Sequence, residues 1–176
     1  PSTVWTWNAI GKRKGTWGLE GDIPEAAEGF LLNPLIDDLL PARDGGCTLA
    51  DCIDAQKVRE LRREYPDYTF VCYINTTVAV KAECDVCVTS GNICKVISRM
   101  PQDKIFFLPD KFMAQNLIRD FQQKGIKKDI KYYTGSCYAH EEFSLEEVKQ
   151  IRKQNPAIKI VAHPECKPEI CRQADF

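Results

Sequence analysis

The stretch QKVRELRREYPDYTFVCYIN, Gln56 to Asn75, decides the fold, because the chain writes it a second time as EEVKQIRKQNPAIKIVAHPE, Glu146 to Glu165. Both copies open on a charged face carrying apolar residues one helical turn apart, Val58 and Leu61 in the first and Val148 and Ile151 in the second. Both stop at a proline, Pro66 or Pro156, and both then enter a short apolar run, TFVCYI or IKIVAH. The pattern reads as helix, tight turn and buried strand, written twice.

The two prolines are ninety residues apart, and the same offset lays Cys47 of GGCTLADC on Cys137 of GSCYAHEE. It also lays Tyr73 on His163, Asn75 on Glu165 and Asp85 on Asp175. After Asp85 the first copy runs into VCVTSGN and a helix-like segment, whereas Asp175 is followed by Phe176 alone. The expectation is a piece of a longer protein, or a shortened form of one. The units read as the end of a first repeat domain over 31–55, a middle domain over 56–145 and the start of a third over 146–176.

Between these landmarks helix and strand alternate. DVCV and KIFFLP read as strands, Ser90–Arg99 and Lys111–Lys124 as helices, and KKDIKYYTG as a further strand. Short apolar runs separated by amphipathic helices predict an α/β protein of pseudo-symmetric repeated units, with short parallel sheets flanked by helices. Residues 1–30, rich in Trp and Gly and without a period, are left unassigned.

The chain has 176 residues and a net charge of −1, so composition offers no argument for nucleic acid or an anionic membrane as partner. No apolar run approaches the roughly 20 residues needed to cross a bilayer, and a cytoplasmic protein is expected. Nine cysteines are many for such a chain, and an odd number without a secretory signal argues against a disulfide framework. They are then small buried hydrophobes, or metal and redox groups.

Functional side chains of parallel α/β units collect where strands end and helices begin. The repeat puts Tyr73 and Asn75 at one such edge and His163 and Glu165 at its counterpart, with Ser90 on the TSGN turn. Cys47 and Cys137 precede helix starts, where unpaired backbone N–H groups favour a thiolate, and His140 follows Cys137 by three positions. Each residue also has a plainer reading. Ser90 can simply cap the next helix, and His163 can be a satisfied histidine at a strand end. Cys52, Cys72, Cys94 and Cys171 look like packing residues. Cys84 and Cys87 form a C-x-x-C, but no second such pair partners it.

Taken together, GCTLAD, YINTTVAVKAECDVCVTSGN, FLPDKF, GSCYAHEEF and VAHPEC resemble the quinolinate synthase family, from about Leu32 to Phe176. The resemblance implies three similar α/β domains around a pseudo-threefold axis, with the active site where they meet. It implies a [4Fe–4S] cluster taking one cysteine from each domain, Cys47 and Cys137 being the first two and the third lying beyond residue 176. The activity implied is condensation of iminoaspartate with dihydroxyacetone phosphate to quinolinate in NAD biosynthesis, with one open iron acting as Lewis acid. L-Aspartate oxidase would supply the imine. Tyr73, Asn75 and Ser90 would bind substrate, and Tyr73, His163, Glu165 and His140 would serve catalysis, His163 and Glu165 also touching substrate. The N-terminal His, Tyr and Ser motifs of the family are not found in Pro1–Gly29, and the Ser-Thr-Gly turn expected after Ala174-Asp175-Phe176 is absent. Two other readings stand beside this one: a non-catalytic relative serving as a binding module, and a zinc or redox protein using Cys84, Cys87 and Cys94.

Overall fold

Turns and caps cut the chain where the sequence pattern says they should. A computed structural model describes residues 46–176, which form a single unit. The expectations for residues 1–30, and for the part of the first repeat domain up to residue 45, lie outside the described residues. In chain order the elements are α1 (Thr48–Asp51), α2 (Ala55–Glu64), β1 (Thr69–Tyr73), α3 (Val78–Ala82), β2 (Val86–Val88) and α4 (Ile93–Arg99). There follow β3 (Lys104–Leu108), α5 (Lys111–Gln123), β4 (Asp129–Tyr132), α6 (Tyr138–Glu141), α7 (Leu145–Gln154) and α8 (Pro168–Cys171).

The four strands make one parallel sheet in the order β2-β1-β3-β4. The two central strands are apolar on both faces, as a sheet covered on both sides requires. One face carries Val71, Tyr73, Val88, Ile105 and Phe107 against Ile93 and Ile97 of α4 and Met113, Leu117 and Phe121 of α5. The other carries Phe70, Cys72, Phe106 and Leu108 against Val58 and Leu61 of α2 and Val80 of α3. Helix α5 starts where the Asp110 carboxylate accepts from Met113 N at 2.7 Å. It ends in a Schellman turn, with Gly125 at φ 66°, Gly125 N–H on the Gln122 carbonyl and Ile126 N–H on the Phe121 carbonyl.

The ninety-residue repeat is present in the bonds that cap and clamp each copy. Asp54 caps α2 by accepting from Lys57 N, and Ser144 caps α7 by accepting from Glu147 N within a full capping box. Arg62 donates to the Glu83 carbonyl at 2.7 Å and pairs with Asp85 at 2.6 Å, while Asp85 accepts from Phe70 N at 2.7 Å. In the second copy Arg152 donates to the Gln173 carbonyl at 2.6 Å and pairs with Asp175 at 3.0 Å, while Asp175 accepts from Ile160 N at 2.9 Å. Each clamp ties the start of an apolar run to the segment that pairs beside it.

One expectation changes. IKIVAH is extended but not part of the sheet. Its backbone bonds to the segment beside it are Ala162 N to the Phe176 carbonyl, and Asp175 N and Phe176 N both to the Ile160 carbonyl, which set Val161 beside Phe176 as Val71 is set beside Val86 in the first copy. A strand needs neighbours to pair along its length, and among the described residues the only ladder partners of this run are Asp175 and Phe176. Among the described residues no helix is long and apolar enough to cross a membrane.

Candidate functional site

The carboxyl ends of β1 and β3 set the first wall of the site. Tyr73, the last residue of β1, is buried, and its phenol oxygen accepts from Asn75 Nδ2 at 3.2 Å. Burial pushes this phenol up to about 12, reinforced by the carboxylates of Glu165 and Asp110, while a hydrogen bond with the half-buried Ser90 pulls it back. Tyr73, Asn75 and Ser90, three residues selected from the sequence, thus stand together, and Glu165 lies close enough to act electrostatically on Tyr73.

The second wall comes from the α6 turn and the loop that follows IKIVAH. Glu165 is 3% exposed, and its Oε2 lies 3.2 Å from His163 Nδ1 and 3.4 Å from His140 Nδ1. The two imidazole rings are 5.4 Å apart between centroids. His163 Nδ1 also accepts from Glu165 N at 3.4 Å, which assigns a lone pair to that nitrogen in the neutral ring. A carboxylate oxygen facing such a lone pair needs a proton between them. Burial, helped by Asp110, raises the Glu165 carboxyl to about 7, and burial depresses both histidines. Two neutral imidazoles and one shareable proton are the result near neutral pH.

Two buried carboxylate oxygens here, Glu165 Oε1 and Asp110 Oδ2, have no hydrogen-bond partner, and His140 Nδ1 faces only the Glu165 carboxylate at 3.4 Å without forming a hydrogen bond to it. Buried polar atoms are rarely left so in folded proteins, and each of these has bonding capacity for a water, an ion or a substrate group. Asp110 was not singled out from the sequence. Its signal was there, a Pro-Asp pair straight after the apolar KIFFL run, which announces a strand end followed by a helix cap. Its carboxyl is raised to about 6 by burial, against the hydrogen bond from Met113 N–H and the nearby N–H groups of Cys137 and Phe112.

The thiols divide into sets. Cys47 and Cys137 occupy equivalent caps of the four-residue helices α1 and α6, with matching backbone angles of φ −108°, ψ 109° and φ −85°, ψ 118°. Neither thiol is spent on capping its helix, and both are free, Cys47 exposed and Cys137 half-buried. They offer two soft thiol donors at pseudo-equivalent positions of the repeat. The α6 turn is pinned by Lys111, whose ammonium meets Glu141 at 2.8 Å and whose N–H meets the Gly135 carbonyl at 2.7 Å. His140, His163 and Glu165 are a second donor set, of nitrogen and oxygen, with ligand atoms all within 4.8 Å of one another. The zinc or redox set of Cys84, Cys87 and Cys94 is not assembled. Cys94 packs on the face of the sheet opposite Cys84, and the residue across the ladder from Cys87 is Cys72.

Comparison with known proteins now bears on this geometry. A family model described as "NadA: Quinolinate synthetase A protein" matches residues 26–176. The chain is 40% identical over 146 residues to quinolinate synthase 1 of Mesorhizobium japonicum, covering 83% of this chain and 44% of that protein. It is 42% identical over 147 residues to quinolinate synthase of Caldicellulosiruptor bescii, covering 83% and 47%. With the enzyme of the same name from Aquifex aeolicus it shares 40% over 146 residues, covering 83% and 44%. The chain thus spans less than half the length of these relatives. On the match of more than four fifths of its residues, it belongs to the quinolinate synthetase A family.

Proposed function

We propose that the complete protein is a quinolinate synthase, condensing iminoaspartate with dihydroxyacetone phosphate and releasing phosphate and two waters. The observation that carries this reading is the convergence of His140, His163 and Glu165 beside the Cys137 turn, with Glu165 in electrostatic reach of the buried Tyr73 phenol. Cys47 and Cys137 would hold a [4Fe–4S] cluster. When bound, that group supplies a Lewis-acidic iron where a hydroxyl must leave.

The chain's own residues do the rest. Asn75 Nδ2, the Ser90 hydroxyl and the Tyr73 phenol offer donors to carboxylate or phosphate oxygens of the substrates. Glu165, poised near neutral pH, gives and takes protons in the dehydrations, as a group with a pKa near the working pH does best. His163 and His140, held neutral, each keep one nitrogen as acceptor and one as donor, so a proton can pass along them to Glu165. The imine would reach the site from an L-aspartate oxidase, and the work would be done in the cytoplasm.

The test is anaerobic reconstitution with iron and sulfide, read by Mössbauer spectroscopy and by quinolinate formed, on the parent and its Cys47→Ser and Cys137→Ser variants. A four-iron signal lost in both variants, together with quinolinate from the parent, bears the reading out. A parent that takes up neither iron nor substrates favours the non-catalytic binding module.

A further inference from the structure

We propose that Asn116 is a positioning residue that sets the loop carrying His163 and Glu165; the proposal deepens the site reading above and rests on it. Asn116 lies in the middle of α5, 4% exposed, where the helix faces the packed interior. Its Nδ2 donates to the Pro164 carbonyl at 2.9 Å and to the Cys166 carbonyl at 2.9 Å, and lies 3.3 Å from Cys171 Sγ. Two carbonyl oxygens can only accept, so the amide is oriented with its NH2 group toward the loop. The loop closes on itself through Cys166 N to the His163 carbonyl at 2.9 Å, and Cys171 Sγ sits 3.5 Å from the carbonyls of both His163 and Cys166.

These contacts join residues 48 to 55 positions apart in sequence, from a helix of the sheet to the second copy of the repeat. Asparagine is a poor choice for a buried helix interior, where leucine would pack without leaving an amide to satisfy. Here its Oδ1 is in fact left without a partner. What the amide provides is geometry: both carbonyls flanking Glu165 are fixed to the same rigid helix whose first turn is capped by Asp110. The carboxyl of Glu165 and the imidazole of His163 are thereby held against His140, and the polar side chain is retained for that placement.

The experiment uses the full chain with Asn116→Ala, which deletes the donor, and Asn116→Asp, which keeps the shape and turns donor into acceptor. Hydrogen–deuterium exchange is followed by mass spectrometry over residues 160–170, over β1 and over β3. Losing a buried donor to two carbonyls should speed exchange at residues 163–166 by on the order of tenfold or more, with β1 and β3 unchanged. Under iron reconstitution of the complete protein, kcat should fall by about tenfold or more while KM changes little, the pattern of a displaced catalytic group rather than lost substrate binding. Exchange that stays slow at 163–166, or rises evenly over the whole sheet, overturns the proposal, as does an unchanged kcat. If Asn116→Ala does not fold, Asn116→Ser keeps a shorter donor and should give a partial local effect. Failure of the functional reading looks different: the parent makes no quinolinate, while the local exchange result stands without it.

Discussion

Gly135 leaves no room for a side chain: a Cβ there would overlap the sulfur of Cys52 and come within 2.7 Å of the Pro109 carbonyl oxygen. The turn that carries Cys137 therefore runs flush against the end of β3, joined to it by an Asp110–Gly135 bridge. Gly135→Ala should lower stability by about 1–3 kcal/mol through overpacking, read as the urea midpoint, and should disturb the Cys137 turn first. Glu165 makes a second residue-scale prediction. Its folded-state carboxyl is raised from 4.5 to about 7, so it contributes stability that is full below pH 4.5 and lost as pH rises through about 7. His140 and His163 are depressed below 6.5, so their contribution is present above 6.5 and lost as pH falls through their lower folded values. The two trends oppose each other over the mildly acidic range. In Glu165→Gln the carboxyl's share is gone, and stability should rise with pH between 5 and 7 where the parent is flatter. Urea midpoints at half-unit pH steps check this, and parallel profiles for parent and variant would refute it.

The Arg–Asp clamp is where the repeat acts at the scale of elements. Asp85 joins α2, β1 and the entry to β2, and Asp175 does the same for α7 and the extended run after it. Asp85 and both arginines are partly exposed, so their ion pairs are screened, and the part-buried share of the first clamp lies in its bond to Phe70 N–H in β1, whereas the Ile160 N–H bond of the second is exposed. Asp85→Ala should therefore cost on the order of 1–2 kcal/mol in the global urea transition. Asp175→Ala should leave that transition nearly in place, because the segment it fastens pairs with so little else. The repeat was legible in the sequence because proline turns, caps and apolar runs fall at one offset, and that offset also carried Cys47 to Cys137 and Tyr73 to His163. The five-residue α3 was not legible, since it is too short to show a helical period. Nor was Asn116, whose partners lie some fifty residues away and leave no local pattern. The IKIVAH run was read correctly as a repeat of β1 and wrongly as a sheet member, because periodicity reports the burial a segment is suited to and not the neighbours it has.

That gap between suited and actual burial divides the whole described unit. Val71 is fully buried and its counterpart Val161 is 76% exposed; Leu61 is 8% exposed and Ile151 is 44%. Val86 is partly covered, while Phe176, which takes its place, is 77% exposed. The same apolar pattern is thus closed under two helical layers in one copy and open to water in the other, among the described residues. Burying a valine or leucine side chain is worth roughly 1.5–3 kcal/mol, so the second copy forgoes several such contributions and stands at the low-stability end of the molecule. Hydrogen exchange should then show two classes of amide. Those of β1 and β3 should exchange only by global unfolding, and those of residues 145–162 by local opening that is faster by orders of magnitude and insensitive to low urea. Residues 163–166, fastened to α5 through Asn116, should exchange more slowly than 157–162 although they follow them in the chain. Val161→Lys should leave both classes unchanged, since it gives up no buried contact, and should reduce any self-association that the open apolar run drives, read by sedimentation. Uniform protection across 56–176 would mean that the second copy is covered in solution, and the sedimentation of the parent would then show by how many copies of the chain.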